Sequence, residues 1–272
     1  MSIPPLLCEH PQETIRRSSY RAECGVCGSY WDLESLDAVV PYDASYPEMR
    51  GHWDPRVGAL KAKTLRRWLE KTGIQLRGRT VCEVGFGGGS CLPLLSELAA
   101  HVIGLETNAS AIERLRREGC PAELHLVTAL PARFADLVDV WLFQDSFEHI
   151  PNPAGFVDWM VGASAPDAEI LLVAPRADSL SRRVMGRWWP HKLPDHQFQW
   201  SRRGVVDRMG RRGFVVRAEF FPLKFASPRM FVAHVMHKAG VANRAPGSAA
   251  GNSIAVPFNF GEMGLVFRRS TR

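Results

Sequence analysis

The ten residues Val81-Cys82-Glu83-Val84-Gly85-Phe86-Gly87-Gly88-Gly89-Ser90 carry the densest information in the chain. A short apolar run, Thr80–Val84, enters a turn built from Gly85, Gly87, Gly88 and Gly89. A helical pattern over Leu92–Ala100 follows, and a second apolar run, His101–Leu105, ends at an acid, Glu106. Strand, glycine turn, helix, strand and terminal acid are the parts of a nucleotide-binding βαβ unit. The glycines admit positive φ and let the backbone approach a ligand closely. An acid at the tip of the second strand can accept hydrogen bonds from ribose hydroxyls.

The ligand class turns on the spacing. A dinucleotide site uses G-x-G-x-x-G, with the pyrophosphate on the helix N-terminus. Here the frame is Glu83-x-Gly85-x-Gly87-x-Gly89, and Gly88 leaves the loop loose enough for other frames. An acid just before the first glycine repels pyrophosphate and suits a cationic ligand, an ammonium held through water or a nearby sulfonium. The E-x-G-x-G-x-G form resembles the first motif of class I S-adenosylmethionine (SAM)-dependent methyltransferases. A glycine turn with no ligand is the plain alternative.

The resemblance continues downstream. Val138–Phe143 is an apolar strand followed by Gln144-Asp145-Ser146-Phe147-Glu148-His149-Ile150-Pro151-Asn152-Pro153. That run is similar to the L-E-H-(I/L)-x-x-P segment after the fourth strand in a large subgroup of these enzymes. Ile170–Ala174 reads as a fifth strand, Arg203–Arg212 as a helix stopped at Gly213, Phe214-Val215-Val216 as a sixth strand and Met263–Arg268 as the last. The resemblance spans about residues 55–222 and 262–269. It implies an α/β fold: a Rossmann-like seven-stranded methyltransferase sheet, here with a small N-terminal zinc-knuckle segment. It implies SAM as cofactor, held by Glu83, Gly85, Phe86, Gly87 and Gly89, by Glu106 and Thr107, by Thr128, Ala129 and Leu130, and by Asp145 and Ser146. Family members often carry an acid after the third strand for the adenine amino group. Thr128-Ala129-Leu130-Pro131, after Glu123–Val127, has none, so Thr128 or a backbone amide has to substitute.

Composition fits that architecture. A chain of 272 residues, 46% hydrophobic, can bury one α/β core plus a small appendage. No apolar run approaches the roughly 20 residues that span a bilayer. Met1–Leu7 is short and lacks the basic region of a secretory signal, so the expected location is cytoplasmic, with no membrane partner. Six cysteines, with Cys82, Cys91 and Cys120 scattered through the core pattern, suit a reducing compartment. The net charge of +6 comes largely from arginines concentrated between Arg176 and Arg217. The plain reading is a solvated arginine-rich surface; steering of an anionic small acceptor is the functional one. Nucleic acid needs basic residues interleaved with exposed aromatics. Trp188, Trp189 and Trp200 keep that option open as a minor one, and the expected partner is a small-molecule acceptor.

A second constellation lies at the N-terminus. Cys8-x-His10 precedes Cys24-x-x-Cys27-Gly28. The Cys-x-x-Cys-Gly knuckle places two thiolates on one tight turn, half of a structural zinc site, and Cys8 with His10 supplies the other half. Such a closed tetrahedral site stabilises about 40 residues with almost no core of their own. His10 is the weakest member, because Cys-x-His is less usual than Cys-x-x-Cys. A thioredoxin-like redox pair and unligated thiols are the alternatives. Small zinc-binding segments also precede the methyltransferase domain in sugar and natural-product relatives, which this arrangement resembles.

Methyl transfer from an activated sulfonium rests mainly on proximity and alignment. An oxygen acceptor of high pKa also needs a base, and His is the usual choice. His149 sits just beyond the fourth strand, at the sheet edge where open α/β folds bind ligands. It serves as base or acceptor contact, or else fixes the loop with Glu148. His191, Asp195 and His196 lie in Trp188–Trp200, an aromatic- and proline-rich run without helical or strand period, expected to be a long loop over the active site. His196, assisted by Asp195, is the expected base; His191 ranks behind it. His101, His125, His234 and His237 read as structural. Asp145, Glu148 and His149 are an alternative set of ligands for Mg²⁺ and a catechol-like acceptor.

The expected organisation is a zinc-binding segment over 1–40, a lid and helical linker over 41–75 and a methyltransferase domain over 76–272 with an insertion at 223–261. A helix is expected over about Pro55–Thr72, and Tyr42 and Tyr46 either cover the cofactor or pack the zinc segment onto the main domain. Helical character over Ser227–Ala239 and a flexible Gly/Ala/Ser stretch at Asn243–Ser253 suit acceptor-pocket or homodimer contacts. The expected activity is O-methylation of a natural product or sugar by in-line SN2 transfer with a His general base. Two other classes stay open: an NAD(P)-dependent oxidoreductase, and a degenerate methyltransferase fold that binds RNA or protein.

Overall fold

The computed structural model describes residues 8–33, 54–129, 134–193, 196, 198–226 and 256–270. Tyr42, Tyr46, Leu130, Asp195 and most of the expected insertion lie outside the described residues. Packing divides the chain into two compact units. The described residues within 8–33, 134–221 and 260–270 form one; those within 54–129, 222–226 and 256–259 form the other.

The elements in chain order are β1 (Ile15–Arg17), β2 (Arg21–Cys24), β3 (Tyr30–Asp32), α1 (Pro55–Thr72), β4 (Thr80–Val84), α2 (Leu92–Leu98), β5 (His101–Glu106), α3 (Ala109–Arg117), β6 (Glu123–Leu126), β7 (Val138–Gln144), α4 (Pro153–Ala163), β8 (Ser164–Pro175), α5 (Leu180–Met185), β9 (Phe198–Gln199), α6 (Arg202–Gly210), β10 (Phe214–Phe220), β11 (Lys224–Ala226), β12 (Val256–Phe258) and β13 (Glu262–Arg269). Seven strands make the main sheet in the order β10-β13-β8-β7-β4-β5-β6. β13 runs antiparallel to both β8 and β10, whereas β4–β5, β5–β6 and β7–β8 pair in parallel. This is the mixed α/β sheet that the sequence pattern implied. β1, β2, β3 and β9 form a separate antiparallel sheet, and β11 pairs with β12.

Local chemistry sets most boundaries. Parallel strands covered on both faces read as continuous apolar runs, and Ile170–Ala174 of β8 is wholly inaccessible. β8 begins earlier than that apolar core suggests, at Ser164, with Asp167 and Glu169 tolerated on its approach. Helix starts carry side-chain caps that satisfy otherwise unpaired amides. Asp54 accepts from the Arg56 amide ahead of Pro55 and α1. Asn108 caps α3, Asn152 caps α4, Ser179 caps α5 and Ser201 caps α6. α1 stops at Gly73, which adopts φ 69°, a left-handed position that glycine takes without strain. Other boundaries also differ from the sequence reading. α2 ends at Leu98 because Ala99 is extended to start β5. The aromatic run after β8 is not all loop: it holds a 3-10 turn at Gly186–Trp188 and the short strand β9. Among the described residues, no helix is long and apolar enough to cross a membrane.

The glycine turn after β4 has little room for substitution. Gly89 sits at φ +71°, and a Cβ there would lie 2.5 Å from Leu115 Cδ1 of α3. Gly89→Ala should therefore destabilise the protein by about 2 kcal/mol or more, read as a lower denaturant midpoint. An unchanged midpoint would show that the turn relaxes freely.

Candidate functional site

The loop between β4 and α2 turns through Gly85, Gly87 and Gly89, all at positive φ. Its first amide is held by the strand beside it, Gly85 N donating to Leu105 O at 2.7 Å. Glu106, at the end of β5, fastens the rest. Its Oε2 accepts from Gly87 N at 2.7 Å, while Oε1 accepts from the Thr107 and Asn108 amides and the Thr107 hydroxyl. The acid expected at a ribose thus also locks the glycine turn and caps the start of the α3 segment. Phe86 turns inward and is buried; a Cβ on Gly104 of β5 would lie 2.8 Å from its ring. Glu83 is buried in β4. Thr107 and Thr128 are exposed, the latter in the single turn Val127–Ala129 that follows β6. These residues all fall within the unit that carries β4, β5 and β6.

The other unit holds the remaining candidates. Asp145 directly follows β7 with φ 53°, the one non-glycine residue at positive φ among those described. Asp tolerates this region better than most residues, yet such positions are sparsely populated and cluster at functional sites. Its amide donates to Val173 O at 2.9 Å. Ser146 beside it is buried. The turn Phe147–His149 then presents Glu148 and His149.

Glu148, His149 and His196 each offer a donor atom within 4.8 Å of the others. The His149 and His196 rings meet edge to face at 4.7 Å, and His196 Nε2 lies 4.0 Å from Glu148 Oε1. Glu148 and His196 are both buried. His191 stacks on His196 at 6.3 Å and pairs with the buried Glu262 at 3.0 Å. The structure therefore brings the two leading His candidates together with Glu148. Asp145, a suggested metal ligand, is not a member of that donor group; His196 takes its place. His101 and His125 both pair with Glu123, within the unit that carries β5 and β6.

The four N-terminal candidates also converge. Donor atoms of Cys8, His10, Cys24 and Cys27 lie within 4.8 Å of one another. Among the described residues, the three sulfurs form one buried cluster with the partly buried Ile15 packed against it. His10 Nδ1 sits 3.4 Å from Cys8 Sγ, and its other nitrogen, Nε2, lies 3.3 Å from Asp207 of α6. A carboxylate on the second nitrogen is how ligating histidines are usually oriented. A hydrogen bond from Cys8 holds the Cys27 thiol down to about 4, and the same contact pushes Cys8 up. None of the six cysteines is in a disulfide.

Sequence reasoning missed how this knuckle is seated. The buried Ser29 Oγ accepts from Ser201 N and contacts Ser201 Oγ, both at 3.0 Å. A Cβ on Gly204 would collide with Ser29 Oγ and lie 3.3 Å from Cys27 Sγ. The arginine-rich stretch is also less solvated than expected. Arg208 is wholly buried, paired with Glu9 at 3.0 Å and set 5.5 Å from the Trp200 ring. Burial pushes its pKa down, against the charge of Glu9. Arg212 reaches Glu9 and Asp158, and Arg217 pairs with Glu169. The only sequence signal was that Glu9 lies between two expected ligands.

A Rossmann-like sheet with a glycine loop and terminal acid on one unit, and a buried His/Glu cluster on the other, defines a nucleotide-cofactor α/β enzyme class. Residues 52–219 match the model of a methyltransferase domain family, more than half of the chain, and the protein belongs to that family. Membership sets aside the oxidoreductase reading. A ubiquinone biosynthesis O-methyltransferase of Paraburkholderia xenovorans LB400 is 29% identical over 116 residues, covering 39% of this chain and 50% of the relative. The chain thus spans about half the length of that curated relative. The YcgJ protein of Bacillus subtilis superposes with TM-score 0.53 at 13% identity, covering 76% of this chain and 98% of its own. The magnesium protoporphyrin IX methyltransferase of Synechocystis PCC 6803, solved with bound SAH, gives 0.50 at 15% identity over 80% and 86%. These structures share the fold.

The buried ion pair yields a stability test. Glu9→Ala should cost about 3 kcal/mol by leaving Arg208 buried without its carboxylate, and adding Arg208→Met should recover most of that loss. Chemical denaturation of both variants checks it. Equal stability of Glu9→Ala and the wild type would show that Arg208 finds another partner.

Proposed function

We propose that the chain is a SAM-dependent methyltransferase that methylates an oxygen of a small-molecule acceptor, a natural product or sugar. The observation that carries this reading is the cluster of buried Glu148 and His196 with the half-buried His149 beyond β7. The partial likeness to O-methyltransferases supports oxygen as the acceptor atom. When bound, SAM supplies a methyl group on a sulfonium, which is activated for direct displacement. The residues proposed to hold it are Glu83, Gly85, Phe86, Gly87, Gly89, Glu106, Thr107, Thr128, Ala129 and Leu130, with Asp145 and Ser146. Phe86 contributes through its backbone, since its ring is buried against Gly104. Glu106 contributes at the ribose while keeping the turn closed.

Bound SAM would supply the methyl group to the acceptor hydroxyl, and this chain's own part would be to orient that hydroxyl and take up its proton. The imidazole of His196 takes the hydroxyl proton, and Glu148 stabilises the imidazolium that forms, 4.0 Å away. His149 packs on the His196 ring and limits its rotation. Burial excludes water and strengthens these charge interactions. Tyr46 and Asp195 keep the lid and assisting roles proposed for them from sequence. A second reading is favoured by the donor geometry. Two ligands about 2.1 Å from one ion can be no more than about 4.2 Å apart, and Glu148 and His196 meet that limit. Glu148, His149 and His196 would then hold a divalent cation on which the acceptor hydroxyl is acidified. Turnover that EDTA abolishes and Mg²⁺ or Mn²⁺ restores would favour it over His196 as base.

We further propose that Cys8, His10, Cys24 and Cys27 hold a structural Zn²⁺. Three sulfurs and one imidazole suit this metal, and donors about 2.3 Å from it lie roughly 3.8 Å apart, within the observed spread. Its closed shell leaves no open position for chemistry.

Two substitutions test the assignment. Glu106→Ala should weaken S-adenosylhomocysteine binding in calorimetric titration by about tenfold, the loss of one or two charged hydrogen bonds; unchanged affinity would remove the cofactor from this loop. His196→Ala should lower kcat by about a hundredfold or more while sparing that affinity. Full turnover would take the base role away from His196.

A further inference from the structure

The N-terminal knuckle and the His196 cluster belong to the same unit, and three continuous connections join them. The first is backbone. β3, which follows the Cys24–Cys27 turn, pairs antiparallel with β9, in the register Tyr30↔Gln199 and Trp31↔Phe198. β9 begins two residues after His196, and Gln199 Nε2 donates back to His196 O at 3.3 Å. A two-residue strand has no independent stability, so its position is inherited from β3.

The second connection is aromatic. Trp31 meets Phe198 at 6.2 Å, Phe198 meets Trp200 at 6.2 Å, and Trp200 meets Phe147 at 5.1 Å. All four rings are buried. Phe147 begins the turn that presents Glu148 and His149. The third runs through charge. Glu9, between the ligands Cys8 and His10, pairs with Arg208, whose guanidinium lies against the Trp200 ring. Asp207, next to Arg208, holds His10. Ser29 and Gly204 close the contact from the knuckle side.

We propose that the Cys8/His10/Cys24/Cys27 knuckle is the positioning device of the acceptor-side cluster, with Ser29 and Trp31 as the positioning residues that fix His196 against Glu148 and His149. The proposal rests on the reading of His196 as the proton acceptor and adds how its ring is placed. The knuckle's sheet gains its fourth strand only from the segment that carries His196, so the structure spends the N-terminal segment on holding that segment. The knuckle takes no proton and touches no substrate. Its loss displaces the base.

The test uses the full chain. Cys27→Ser and Trp31→Ala are compared with wild type and with the conservative Trp31→Phe, after the wild type has been stripped by chelator and reloaded with Zn²⁺ alone. Three readouts are taken together: kcat, the affinity for S-adenosylhomocysteine, and the His196 ring resonances in ¹⁵N-histidine-labelled protein. Cys27→Ser and Trp31→Ala should shift the His196 resonances and lower kcat by about a hundredfold, the cost of misplacing a catalytic group by an ångström. Cofactor affinity should stay within about twofold, a change of less than 0.5 kcal/mol. Trp31→Phe should keep both the resonances and the turnover. Unmoved His196 resonances in Cys27→Ser and Trp31→Ala overturn the proposal. Parallel loss of cofactor binding and turnover in both overturns it too, since the knuckle would then support the fold at large. Moved resonances with unchanged turnover sustain the positioning role and remove the base assignment, so the two readings fail separately.

Discussion

Sulfur atoms stand where the first 33 residues would otherwise need a hydrophobic core. Cys8, Cys24 and Cys27 form a buried cluster there, with Ile15 packed against it among the described residues. Three strands of three or four residues cannot order themselves by apolar burial. Their geometry has to come from the donor cluster and from what the cluster leans on. The same contacts then serve in the other direction. Ser29 reaches Ser201, His10 reaches Asp207 and Glu9 reaches Arg208, so the start of α6 and the strand before it are set by the knuckle. That strand is tied to His196 by the hydrogen bond from Gln199 Nε2 to His196 O.

The cofactor-type loop is built by a different logic. Nothing there requires a long-range anchor: three left-handed glycines turn the chain, and one carboxylate holds four donors within two adjacent elements. Glu106 binds Gly87 as well as its own neighbours, so the glycine turn and the β5 tip form one rigid piece. Phe86 plugs into the space left by Gly104, which makes the bare backbone of β5 part of the same fit. A binding loop of this kind is preorganised by local sequence, and its affinity is not diluted by ordering costs.

That contrast explains what the residues disclosed in one dimension. The β4–β5 unit was legible because every part of it is local: a run, a turn, a run and an acid within 27 positions, Thr80 to Glu106. Helix α1 was legible over Pro55–Thr72, since its cap, its first-turn proline and its stop glycine all act on their own helix. β9 was not, because two residues show no period and the partner strand lies far back in the chain. Arg208 resembled its exposed neighbours in a basic helix; what buries it is Glu9, a tertiary partner that spacing cannot reveal. The metal-type ligands were legible as a set, while the carboxylate that orients His10 was not, since Asp207 becomes its partner only when α6 docks. Sequence named the candidate donors and missed the tertiary contacts that seat them.

Those supports bear on why a small metal-type knuckle accompanies a methyltransferase fold in this chain. Acceptor-side segments differ among enzymes that share a scaffold, because function is grafted onto folds through such loops. A loop free to vary is also free to move, and a base displaced by one ångström loses most of its effect. Rigidity has to be supplied from outside the loop. A conventional supporting domain would need several dozen more residues to bury enough apolar surface for stability. A closed four-donor site supplies comparable rigidity from two short turns, because metal binding energy is folding energy in segments of this size. A short strand added to the edge of such a module is held by backbone hydrogen bonds, which do not depend on side-chain identity.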